Sequence, residues 1–201
     1  LAEWLDVRPA EVRLVFLTFV GAFVMMAFVV LSRALREAFF LDRFDASALP
    51  YIGGAAILFG LAGAGLFARA LVRYPPGTVL RTVIVALGTS LAILYPFVSR
   101  SASMVVLFYL LTAVGTLLLT SGFWLVVSEL FVVREAKRLF GVVSAGGTLG
   151  LLVAGTSIRP LLAVLAPRNL LIVLIGLLGL SILINEFIPR NRFEERSRVS
   201  G

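Results

Sequence analysis

The sequence predicts an all-α membrane protein built on six transmembrane helices. Three observations carry that prediction. Of the 201 residues, 60% are hydrophobic and only 14% charged, against about a quarter charged in a soluble domain. Six runs free of Asp, Glu, Lys and Arg, each 17 to 28 residues long, lie at 14–32, 46–68, 82–99, 101–128, 139–158 and 169–185. Each is close to the roughly 20 residues that cross a bilayer as a helix. None alternates apolar and polar residues as a membrane-barrel strand does, and a helix satisfies its own backbone in lipid.

Residues 1–13 set Trp4 and Leu5 beside Asp6 and Arg8. They read as an amphipathic lead-in along the headgroups, or as a short solvated stretch. The first run ends at Ser32-Arg33-Ala34-Leu35-Arg36-Glu37. If the helix continues, Arg33 and Glu37 share a face four residues apart, with Arg36 nearby. Ionisable groups at a span face a cavity or pair up. Arg33 and Arg36 are therefore candidates for binding an anionic substrate, with Glu37 holding an arginine in place. Spacing supports equally a pair of arginines snorkelling at a helix end, with Phe39, Phe40 and Leu41 as an interfacial belt.

Gly53, Gly54, Gly60, Gly63, Ala64 and Gly65 give the second helix a smooth surface. Tyr74-Pro75-Pro76-Gly77 makes a tight turn into the third. Tyr95-Pro96 precedes a Ser/Arg connection at 99–103. The fourth run carries Phe123-Trp124 and ends at Ser128-Glu129, followed by Arg134-Glu135-Ala136-Lys137-Arg138. Taken alone, Trp124 could be core and the basic group a positive-inside anchor. Thr120, Ser121, Ser144 and Thr148 could line a polar path, or bond to their own helix backbone, which is commoner. Gly146, Gly150 and Ala154 recur every four residues, with Gly147 and Gly155 adjacent, a stripe for close helix packing. No Gly-Lys-Ser/Thr follows, so these glycines do not form a phosphate loop. Arg159-Pro160 and Pro167 bracket the last connection, and Pro189 ends the sixth helix. The transmembrane domain spans 14–189, and 190–201 is a basic tail or the start of a linker.

Of the 18 basic residues, twelve fall on one side of this topology and six on the other. Positive charge collects in the cytoplasm, which puts both termini there and fits a bacterial inner membrane. The net charge of +7 does not point to nucleic acid, because the basic residues punctuate apolar runs rather than forming one stripe. The chain has no Cys or His and eleven acidic residues. Disulfides, thiolate metal sites and Cys or His nucleophile pairs are excluded. No enzyme, metal or cofactor is expected.

Phe123-Trp124, then Glu135-Ala136-Lys137-Arg138-Leu139-Phe140, then Gly146 and Gly150 resemble the fourth-to-fifth helix signature of the ATP/ADP translocases. That family is distantly related to the major facilitator superfamily. Arg33-Ala34-Leu35-Arg36-Glu37 is similar to its arginine-x-x-lysine-aspartate segment at the end of helix one. Leu49-Pro50-Tyr51 and the stretch from Thr82-Val83-Ile84-Val85 to Tyr95-Pro96 match its second and third helices in place. The resemblance implies a major-facilitator-like half bundle, since the family has twelve helices and this chain supplies six. It places Arg36 where the family has a substrate-linked lysine, and Glu135 where it has a required glutamate. Arginine at 36 and glutamate at 37 keep the charge and change the geometry.

Two functions are then expected. One is half of a nucleotide or organic-anion antiporter, completed by a second six-helix half (a homodimer partner or a carboxy-terminal part). Arg33, Arg36, Glu37 and Trp124 would bind substrate, and Glu129, Arg134, Glu135, Lys137 and Arg138 would form a cytoplasmic gate. The other is a non-transporting six-helix subunit anchored among other membrane subunits.

Overall fold

A computed structural model describes residues 12–98, 100–131 and 133–187, without the side chains of 133–138. Within them run six helices: α1 Val12–Leu41, α2 Leu49–Arg73, α3 Pro76–Leu94, α4 Ala102–Leu130, α5 Val133–Val164 and α6 Pro167–Phe187, with a 3-10 turn at Ala46–Ala48. All six are long and apolar enough to cross a membrane, and no strand occurs among the described residues. The chain is an integral membrane protein. Residues 1–11 of the expected lead-in, Pro189 and the tail lie outside the described residues.

Local chemistry sets the helix starts. Proline opens α3 and α6 and stands second in α2, where a missing N–H has no helical partner to lose. The Ser101 hydroxyl accepts the Met104 N–H at 3.3 Å and caps α4. The helices overrun the charge-free runs, because those runs mark the hydrocarbon crossing and not the helix ends. α1 has 30 residues, about 45 Å of helix against a hydrocarbon core of ~30 Å, so its last turns carry Arg33, Arg36 and Glu37. α3 starts at Pro76 and includes Arg81. The fifth connection is also shorter than expected. α5 passes through Arg159 and Pro160, and only Leu165 and Ala166 separate it from α6. A proline removes one backbone bond, here the one to the Thr156 carbonyl, and α5 continues past it, as apolar spans tolerate.

α1 is the central helix. Half of its apolar window is buried, against 6% for α2. It packs most extensively on α5, then on α6 and α4, while α4 also packs on α3 and α2, and α3 on α6. Exchanging α1, α2 and α3 for α4, α5 and α6 maps these pairings onto themselves. Short connections make successive helices alternate in direction, so the exchanged helices run opposite ways. This pairing pattern is the one that two inverted three-helix repeats would give, with α1 and α4 at the centre and α2 and α5 each held mainly by one of them.

The α1–α5 seam depends on two glycines. A Cβ on Gly146 would collide with the Phe19 carbonyl oxygen, and one on Gly150 with the Phe23 carbonyl oxygen. Gly147 lies against Met26, and Gly155, one residue past the stripe, meets nothing within 4 Å. α3 and α6 are pinned at both ends. Arg81 pairs with Glu186 at 2.5 Å, and the Arg168 guanidinium lies 4.7 Å from the centre of the Tyr95 ring. The ion pair is about half exposed and contributes at most about 1 kcal/mol.

Candidate functional site

Continuation of α1 past Ser32 separates its two arginines. Arg33 turns outward, its side chain 70% exposed, and its Nε donates to Glu37 Oε1 at 3.1 Å. Arg36 turns toward α4. Its guanidinium carbon lies 5.1 Å from the centre of the Tyr109 ring, and its Nε is buried with no hydrogen-bond partner. Glu37 therefore holds Arg33 and not Arg36. Phe40 packs against Tyr109 at 5.5 Å and stacks on Phe44 at 4.8 Å, while Phe39 meets Phe108 edge-on at 5.6 Å. Phe39 and Phe40 are buried at 8% and 2% exposure. Of the three residues considered for an interfacial belt, only Leu41 is exposed. The aromatic pair on α1 meets the Phe108-Tyr109 pair on α4 and is consumed in that seam.

The Nε of this cation lacks an acceptor among the described residues. An unsatisfied buried donor costs about 1–3 kcal/mol, and more when charged. The π-face of Tyr109 returns roughly 0.5–2 kcal/mol and fixes the guanidinium in place, but it accepts no N–H bond. Nε itself has no surface open to a solute, so an anionic oxygen would be met by the terminal nitrogens of the guanidinium.

From Tyr109 one face of α4 continues through Thr112, Thr116 and Thr120 to Trp124, at spacings of three and four residues. Each threonine hydroxyl donates to its own helix: Thr112 to the Phe108 carbonyl at 2.7 Å, Thr116 to Thr112 at 2.9 Å and Thr120 to Thr116 at 2.8 Å. Their protons are used; Thr112 is fully buried, and toward a solute the oxygens of the half-buried Thr116 and Thr120 can only accept. Trp124 stacks on Phe140 at 5.8 Å and meets Phe123 edge-on at 5.6 Å. It lies fifteen residues from Tyr109, about 22 Å along the helix. The structure thus gathers Arg33, Arg36 and Glu37 at one end of α1 and sets Trp124 at the other end of the same α4 face. Spacing could have revealed Tyr109, Thr112 and Thr116, which the reading of apolar runs passed over.

Glu129 is half-buried in the last turn of α4. Arg134, Glu135, Lys137 and Arg138 fall in the first turns of α5, and their side chains lie outside the described residues. Thr148 bonds the Ser144 carbonyl of its own helix at 3.1 Å. Among the described residues no cluster of acidic side chains could hold a metal ion.

A family model described as "TLC ATP/ADP transporter" matches residues 55–173, more than half of the chain. The match includes the whole Tyr109–Trp124 face and the start of α5, and begins after the Arg33–Glu37 cluster. No curated protein and no solved structure matches the chain.

Proposed function

The chain belongs to the TLC ATP/ADP transporter family, and on that premise we propose that it forms one half of an antiporter for nucleotides or related organic anions. The observation that carries this reading is Arg36, a cation whose buried Nε has no protein acceptor. Phosphate oxygens would pair with its terminal guanidinium nitrogens through charge-assisted bonds. Arg33, already occupied by Glu37, adds long-range attraction more than contact. Past this anchor, the partly exposed acceptor oxygens of Thr116 and Thr120 suit the amino group of a base, and Trp124 offers a flat ring for stacking. Glu129, Arg134, Glu135, Lys137 and Arg138 form the gate at the opposite end. The twelve-to-six distribution of basic residues supports placing that end, and both termini, in the cytoplasm, and fits a bacterial inner membrane.

Alternating access requires a second body to rock against. The outer face of α2 supports this requirement. Gly53, Gly54 and Gly65 meet nothing within 4 Å, and Tyr51, Ile57, Leu61 and Val72 are exposed. A second six-helix body, another copy or a further part of a longer chain, would cover it. Purification from native membranes with mass determination tests this. The expected particle contains two such bodies and binds labelled ATP. A stable complex with unrelated membrane subunits and no nucleotide binding would establish the anchoring role instead.

A further inference from the structure

We infer that the groove between α2, α3 and α4 is a binding site for one anionic phospholipid, its acyl chain in the groove and its headgroup phosphate on Arg69 and Arg73. α2 and α3 touch only slightly, and the gap between them is floored by α4. Two adjoining cavities of about 620 and 480 Å³ fill it, sharing Gly63, Leu66, Val83, Val114 and Leu118. Gly63 lets α2 approach α4 closely at the groove floor, since a Cβ would come 2.8 Å from Val114 Cγ1. The hydroxyls along α3 do not make the groove polar. Thr82 and Ser90 donate to the Thr78 and Ala86 carbonyls of their own helix.

The groove runs along α2 from Phe59 to Tyr74, about 22 Å at the helical rise. A leaflet is ~15 Å deep, so one acyl chain fits lengthwise. The charge at its end selects the occupant. Arg69 stands seven residues beyond Ala62, and Arg73 seven beyond Leu66, so both arginines continue the stripe that lines the groove. Both are exposed, and neither has an ion-pair partner among the described residues. Arg81, the third basic residue at this end, is taken by Glu186 on the far side of α3. No Asp or Glu occurs between Asp45 and Glu129, so α2, α3 and their connection carry no carboxylate to neutralise the pair. A membrane supplies a molecule with an apolar chain and a negative head in that order. The glycine-rich face of α2 proposed to meet a second body lies across the helix from Leu66 and Ala70, with Arg69 at the border between the two faces.

The test is native mass spectrometry of the full chain released from nanodiscs of phosphatidylcholine and phosphatidylglycerol in equal amounts. Each surface arginine adds roughly fivefold to anionic lipid binding. The wild type should therefore retain one phosphatidylglycerol with a preference of about five- to thirtyfold. Arg69→Gln with Arg73→Gln, both exposed and harmless to the fold, should bring the two lipids to parity. Val83→Phe, on the wall shared by both cavities, should eject lipid of either kind. Equal retention of both lipids by the wild type would overturn the proposal, as would a preference unmoved by the double substitution. A protein dimer that carries no lipid would show that a second copy fills the groove.

Discussion

Replacing Arg36 with alanine is expected to slow nucleotide exchange in proteoliposomes by about ten- to a hundredfold, the loss of a charge-assisted hydrogen bond worth about 1.5–3 kcal/mol. Arg33→Ala, three residues away, is expected to change the rate less than about threefold, because its exposed ion pair with Glu37 is worth under ~1 kcal/mol. Stability separates this from a folding defect. Arg36 Nε has no protein partner to lose, so Arg36→Ala should melt at or above the wild-type temperature. Arg36→Lys keeps the charge but loses the fork, and its rate should fall between the two. If Arg33→Ala and Arg36→Ala had equal effects on exchange, the site would have to be moved off α1.

The largest structural effect is expected at Gly150. A side chain there meets the Phe23 carbonyl, a backbone atom that cannot swing aside as a flexible side chain would. Gly150→Ala must push α5 away from α1, across the most extensive contact in the bundle. Overpacking of this kind costs about 1–3 kcal/mol, and Gly150→Leu more. Thermal unfolding in detergent measures it. Gly155→Ala serves as the control. It has nothing within 4 Å and gains helix propensity, so it should unfold no earlier than the wild type. Equal losses at 150 and 155 would mean that the α1–α5 seam is set by something other than these close approaches.

The contrast between those glycines shows how far the sequence could be read. A four-residue repeat of small residues marks a helix face, and Gly146 and Gly150 do face a neighbouring backbone. Gly155 was included for adjacency, but one residue is 100° of helix, and it points away. The six spans were legible because charge is excluded from hydrocarbon. Helix ends were less so, because α1 and α5 continue into the region where charges are tolerated. Pro160 reads as a stop in the sequence and is not one, since a membrane helix tolerates the loss of a single backbone bond. Within the candidate site, the Arg33–Glu37 pair follows from spacing alone. Which arginine turns inward depends on the position of α4, and a one-dimensional pattern does not contain that. Tyr109 was passed over for the same reason, because within an apolar run a tyrosine differs little from its neighbours until a cation is placed over its ring.

The most direct measurement is uptake of labelled ATP into vesicles containing the purified wild-type chain, with and without ADP trapped inside. An antiporter half that assembles with its counterpart predicts uptake that depends on the trapped nucleotide and stops when the interior is empty. Uptake indifferent to the vesicle contents, or none from vesicles in which two six-helix bodies are demonstrably paired, would contradict the account.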